Sequence, residues 1–286
     1  MIKPSQKILT RYLIGITLLL LQVKMIFAQP LYQAHAHNDY AHHRPLLDAL
    51  EQGFNSVEAD IFLQDGHLLV GHEAADLRPQ LTLQALYLEP LWSRYLQFQH
   101  QIHPDSAHPL ILLIDFKTSG TALYPVLQAM LHVYLPMLSR VQNGVFKEGA
   151  VTIIISGDVP RDLIVANKQR HVFIDGRLPD LKGHYSQTEM PLISANWKKY
   201  FSWDGKGQIS PLELRKLNSF TQQAHQQKRL LRFWGTPDNM QAWQVLQQSG
   251  VDLINTDDLK GLSDFLKTFA ESSTEPANIS LYTLHP

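Results

Sequence analysis

The chain has 286 residues, 44% of them hydrophobic and 18% charged, with a net charge of −1 and no cysteine. Its length suits one barrel of roughly 250 residues plus a leader. A near-neutral balance without a basic stripe argues against a nucleic-acid partner, and the absence of cysteine excludes disulfides, thiolate chemistry and lipid attachment through a thiol.

Residues 1–28 read as a signal peptide: Lys3, Lys7 and Arg11 precede an apolar run over 12–23, and Ala28 offers a small residue for cleavage before Gln29. The run is short against the roughly 20 residues of a membrane span. A periplasmic or secreted location is therefore expected, with an uncleaved N-terminal anchor as the alternative.

Beyond the leader, strand-like runs alternate with helical patterns, the signature of βα units around a parallel sheet. Strands are expected at 32–37, 56–62, 110–116, 151–156, 172–175, 191–194, 230–233 and 252–255, and eight is the strand number of an α/β TIM barrel. Helices are expected at 45–52, 122–140, 210–227, 238–249 and 259–269. Ser210-Pro-Leu-Glu213 forms a capping signal with proline at the first helical position. Gln64-Asp-Gly-His67 reads as a hairpin turn. One domain is thus expected over 29–270, followed by a loose polar tail over 271–286.

Three short segments carry the chemistry. In a strand through Ser56-Val-Glu-Ala-Asp60, alternation puts Glu58 and Asp60 on one face and Val57, Ala59 and Ile61 on the other. The run Leu110-Ile-Leu-Leu-Ile-Asp-Phe-Lys117 has the continuous hydrophobicity of a strand buried on both faces, with Asp115 and Lys117 sharing a face at its end. Taken alone, a Glu-x-Asp is most often a solvated face and an Asp-x-Lys a local ion pair. Together, three carboxylates at two strand ends make a seat for one Mg²⁺ or Ca²⁺. Lys117 would stand beside it as a fixed charge for a phosphoryl oxygen.

The third segment supplies imidazoles. His37 and His72 both close strand-like runs, and a pair flanking a phosphorus can take a proton from the nucleophile and give one to the leaving oxygen. The chain has 14 histidines, most in polar surroundings. His35 shares a strand face with His37 and is either the alternative or a group that orients its neighbour. By position at later strand ends, Arg232, Trp234, Asn255, Asp257, Ser156, Asp175 and Asn196 are candidates for substrate contact or for a structural polar plug. Asp204-Gly-Lys-Gly207 lacks calcium-loop spacing and reads as a turn.

The stretches His35-Ala-His-Asn-Asp-Tyr40, Arg44-Pro-Leu-Leu-Asp48, Ser56-Val-Glu-Ala-Asp60, Asp65-Gly-His-Leu-Leu-Val-Gly-His72 and Asp115-Phe-Lys117 resemble the superfamily of glycerophosphodiester phosphodiesterases and phosphatidylinositol-specific phospholipases C. Within it, His37-Asn-Asp-Tyr40 and Leu86-Tyr-Leu-Glu-Pro-Leu91 are most similar to the altered inheritance of mitochondria protein 6 family. The similarity of order continues through Arg232-Phe-Trp-Gly-Thr-Pro237 and Gly250 to Asp257. The resemblance implies a TIM barrel with one divalent cation held by Glu58, Asp60 and Asp115, and His37 and His72 as acid and base. It places Lys117 at a phosphate-binding lysine. Substrate contacts are expected at Asn38, and at Arg232, Trp234 and Asn255 by their place at later strand ends. The chain departs from the glycerophosphodiesterase pattern in reading His37-Asn-Asp instead of His-Arg-Gly. It also carries Asp115 for the usual Glu, which resembles the sphingomyelinase D branch.

The expected activity is metal-dependent phosphoric diester hydrolysis of a small-molecule or lipid diester, by a monomer without a protein partner. Two alternatives stand: an amidohydrolase-like zinc enzyme using His35 and His37, which would need further histidines at later strand ends, and a catalytically inactive binding barrel.

Overall fold

The structure is a computed structural model that describes residues 28–272 apart from 105 and 107. Residues 1–27 of the expected leader over 1–28 and residues 273–286 of the expected tail over 271–286 lie outside the described residues. No described helix is long and apolar enough to cross a membrane.

The chain begins with β1 (Leu31–Ala36), the long β2 (Phe54–Gln64), β3 (His67–Val70) and β4 (Leu110–Phe116). It continues through β5 (Arg140–Gln142), β6 (Val145–Lys147), β7 (Val151–Gly157) and β8 (Val172–Gly176). It ends with β9 (Leu192–Asn196), β10 (Leu230–Trp234) and β11 (Leu253–Thr256). Eight of these, β1, β2, β4 and β7 to β11, pair in parallel in sequence order, and β1 bonds both β11 and β2 to close the ring. This is the expected TIM barrel. The Asp65-Gly66 turn has positive φ at both positions, as a tight hairpin requires, and returns β3 antiparallel to β2.

Strand alternation divides the interior into two layers. On β4, Leu110, Leu112, Ile114 and Phe116 pack outward in the core shared with the helices, while Ile111 and Leu113 point inward. Ile154, Phe173, Leu192, Leu230 and Leu253 join them in an apolar floor, closed by Val141 and Phe146 of the β5–β6 hairpin. Two residues further along each strand the inward position is polar: Asp115, Ser156, Asp175, Ser194, Arg232 and Asn255. With parallel strands, all these polar positions lie toward the same, C-terminal mouth.

Four of the five expected helices are present, and Glu89–Gln97, Arg161–Ala166 and Trp197–Tyr200 are helices that were not among them. The helix expected over 122–140 ends at Leu131, gives way to a tighter turn over His132–Met137 that contains Pro136, and then yields to β5. Pro136 has no amide hydrogen to continue an α-helical ladder. Ser210 caps Pro211–Gln226 by accepting from the Glu213 amide at 3.2 Å.

Candidate functional site

Register brings the acidic groups together. Asp60 on β2 lies directly beside Asp115 on β4, and Glu58 sits two residues below Asp60 on the same inward face. One oxygen from each of the three carboxylates falls within 4.8 Å of the others. Lys117 Nζ bridges Asp60 Oδ2 at 3.0 Å and Asp115 Oδ2 at 2.5 Å. Burial opposes the charge of Lys117, but Asp115 and Asp60 hold its pKa above the usual value. Asp60 is pushed upward by burial and by the Glu58 charge.

Glu58 is different. Burial disfavours its charge, yet Arg232 and His35 hold its carboxyl far below the usual range. Arg232 Nη2 donates to Glu58 Oε2 at 2.5 Å, and Arg232 Nε donates to Asn255 Oδ1 at 2.8 Å. His35 is fully buried, with Nδ1 2.7 Å from Ser56 Oγ and Nε2 3.2 Å from Glu58 Oε2. Burial and the Arg232 charge push its pKa down to about 4, so the ring is neutral at pH 7. With both nitrogens engaged, His35 supports Glu58.

The segment after β1 ties three elements together. His37 Nδ1 lies 2.9 Å from Asp257 Oδ1 past the end of β11, and Asn38 Nδ2 lies 3.4 Å from the same oxygen. Burial lowers the His37 pKa, but Asp257 and Glu58 raise it further, leaving the ring above its ordinary value. Asp39 is buried, accepts from the Leu46 amide at 2.5 Å and from the Tyr87 hydroxyl at 2.9 Å, and is pushed up to about 7 by burial. The Tyr40 hydroxyl lies 2.6 Å from Asn38 Oδ1, 2.8 Å from Asp60 Oδ2 and 3.1 Å from His72 Nδ1. His72 Nδ1 is also 3.2 Å from Asp60 Oδ2.

A cleft of about 540 Å³ opens among these groups at the C-terminal mouth. His37, Asn38, Glu58, Asp60, His72, Asp115, Lys117, Arg232 and Trp234 all contribute to its wall. Asn255 does not; it lies buried against Arg232. Arg232 is itself committed to Glu58 and only 2% exposed, whereas Trp234 is 39% exposed. Arg232 thus lines the cleft while serving as the counter-charge of Glu58. Asn196 caps the short helix Trp197–Tyr200, and Asp204 accepts from the Lys206 amide in a turn.

Sequence reasoning assigned no role to Tyr40 or Arg177. Arg177 lines the cleft, donates to Asp175 Oδ2 at 2.8 Å and lies 3.3 Å from Ser156 Oγ. The available signal was its place just after the strand ending Phe173-Ile-Asp-Gly176.

The carboxylate trio fits a hard divalent cation. Asp60 Oδ2 is taken by Tyr40, Lys117 and His72, while Asp60 Oδ1 is buried without any hydrogen-bond partner. A buried, unpaired carboxylate oxygen beside two further carboxylates is what a bound cation would satisfy. Among the described residues, this is the one cluster of three or more such groups, and it contains no histidine. A zinc site using His35 and His37 has no support in that donor set.

Residues 27–175 match the AIM6-like phosphodiesterase domain. The chain is similar to the altered inheritance of mitochondria protein 6 homolog of Arthroderma benhamiae, 29% identical over 81% of this chain and 82% of the relative. It is similar to proteins named altered inheritance of mitochondria protein 6 from Eremothecium gossypii (29% identical; 82% and 69% covered) and Saccharomyces cerevisiae (27%; 79% and 68%). These names correct the expected periplasmic or secreted location: they refer to the inheritance of mitochondria, and the leader on which that expectation rested lies outside the described residues. With more than half its length matched by the domain, the chain belongs to the AIM6-like phosphodiesterase family.

Proposed function

We propose that the protein is a metal-dependent phosphoric diester hydrolase acting on a glycerophosphodiester or phospholipid-type substrate, with residues 29–270 as one catalytic domain working as a monomer. The observation that carries the reading is one cleft lined by three clustered carboxylates, a lysine and two histidines. Glu58, Asp60 and Asp115 would hold Mg²⁺ or Ca²⁺, which when bound draws charge from the non-bridging phosphate oxygens.

The chain's own groups do the rest. Lys117 adds a fixed positive charge where the phosphoryl oxygens gain negative charge. One of His37 and His72 takes the proton of the nucleophile, water or a neighbouring substrate hydroxyl, and the other protonates the departing alcohol. Asp257 orients His37 and favours its charged form. Trp234 offers an exposed indole face to the organic part of the substrate.

The test is an assay of bis-p-nitrophenyl phosphate and glycerophosphodiesters with Mg²⁺, Ca²⁺ or EDTA. His37→Ala and Asp60→Asn should each lower turnover by about 10²-fold or more, and EDTA should abolish it. ³¹P NMR of the products separates hydrolysed from cyclic phosphate. Equal turnover in wild type and both variants would overturn the reading, and cation binding without cleavage of any diester would favour a binding barrel.

A further inference from the structure

We infer that Tyr40 is a positioning residue that holds the His72 ring against Asp60 in a single tautomer. The inference rests on the proposed hydrolysis for its consequence in rate, but its geometry stands independently. The His72 side chain is 60% exposed and departs from a short strand, so packing alone does not fix it. An exposed imidazole left to itself samples several rotamers, and ordering it carries an entropic cost.

The Tyr40 phenol has one hydrogen and three atoms within reach of it: Asn38 Oδ1 at 2.6 Å, the carboxylate Asp60 Oδ2 at 2.8 Å and, farther off, His72 Nδ1 at 3.1 Å. A phenol, with its ordinary value of about 10, keeps that hydrogen at neutral pH. The two shorter contacts draw that hydrogen to an oxygen, so His72 Nδ1 faces oxygen lone pairs on both Tyr40 and Asp60 and satisfies them by donating its own N–H. The ring is thereby set as the Nδ1–H tautomer, and Nε2 is the nitrogen left to exchange a proton with substrate. The two rings are also stacked, with centroids 6.5 Å apart and planes 15° from parallel.

Tyr40 is itself well anchored. Its neighbour Asn38 reaches Asp257, and Asp39 is held by Leu46 and Tyr87, so the segment cannot drift without breaking contacts on either side.

The experiment compares the full chain with Tyr40→Phe, which keeps the ring and removes the hydroxyl. ¹H–¹⁵N correlation of the His72 ring at about pH 8.5, above the ordinary imidazole range, should show the Nδ1–H tautomer in wild type and a shift toward the Nε2–H form in the variant. In the diester assay kcat should fall about 10- to 100-fold with KM changed by less than about 3-fold, because orientation and not binding is lost. An Nε2–H ring in the wild-type protein overturns the inference even if the variant fails to fold. A ring unchanged by Tyr40→Phe overturns it whatever happens to kcat, and a shifted ring with undiminished kcat overturns its catalytic consequence. Because the tautomer is read without turnover, failure to cleave any diester would count against the proposed hydrolysis and leave this geometry standing.

Discussion

Gly157 shows how closely the acidic site is packed. It ends β7 at a φ of +73°, where L side chains are strained, and a Cβ there would lie 2.3 Å from Asp115 Oδ1 and 2.4 Å from the Phe116 carbonyl oxygen. Gly157→Ala should displace the Asp115 carboxylate and weaken cation affinity by about 10-fold or more, measured by calorimetric titration with Mg²⁺ or Ca²⁺. Asp115 and Lys117 were legible as a pair because a continuous apolar run ends in them. The counter-charge of Glu58 was not legible as such: Arg232 lies 174 positions away, and only barrel closure makes the two neighbours. Tyr40 was hidden for the same reason, since its partners Asp60 and His72 stand 20 and 32 positions along the chain.

At the scale of elements, all eight barrel strands were legible, most of them as short runs of aliphatic and aromatic residues that lead into a polar inward position. The β5–β6 hairpin was not. Its Asn143-Gly144 turn carries the expected positive φ values, but the flanking strands are three residues each, too short to show alternation. Its function is nevertheless clear from packing, since Phe146 meets Phe173 edge-on at 5.8 Å and helps close the apolar floor. The helix Pro211–Gln226 was legible from its start signal. Ser210→Ala removes the oxygen that accepts the Glu213 amide and should cost about 1 kcal/mol of stability, read from the shift of a urea unfolding midpoint.

For the whole molecule, pH couples to folding, and so would cation binding at the proposed site. A cation that binds only the native site should stabilise it by about 2.7 kcal/mol at one hundred times its dissociation constant, so Mg²⁺ or Ca²⁺ should raise Tm in wild type and not in Asp115→Asn. The pH dependence has an identifiable contributor in His103. Burial, reinforced by the Arg94 charge, holds its pKa down at about 4, although its Nε2–H bond to the Phe54 carbonyl partly offsets this. The unfolded ring takes up a proton near its ordinary value of about 6.5, so His103 favours the fold fully above that pH. This contribution, about 3 kcal/mol in all, disappears as pH falls from about 6.5 to 4. Asp39, raised to about 7, acts oppositely: its contribution is complete below the ordinary carboxyl range and vanishes as pH rises through 7. The His103 effect is therefore checked by difference, with His103→Gln expected to unfold with a shallower loss toward acid than wild type. The ion pair between Glu58 and Arg232 has a last consequence, for synthesis on the ribosome. All three carboxylates have emerged once residue 115 is out, yet Glu58 is buried in the folded barrel, where its guanidinium partner from β10 favours its ionised form. A nascent chain would thus expose all three carboxylates long before it could retain the proposed cation, and metal retention would time-stamp the arrival of the penultimate strand.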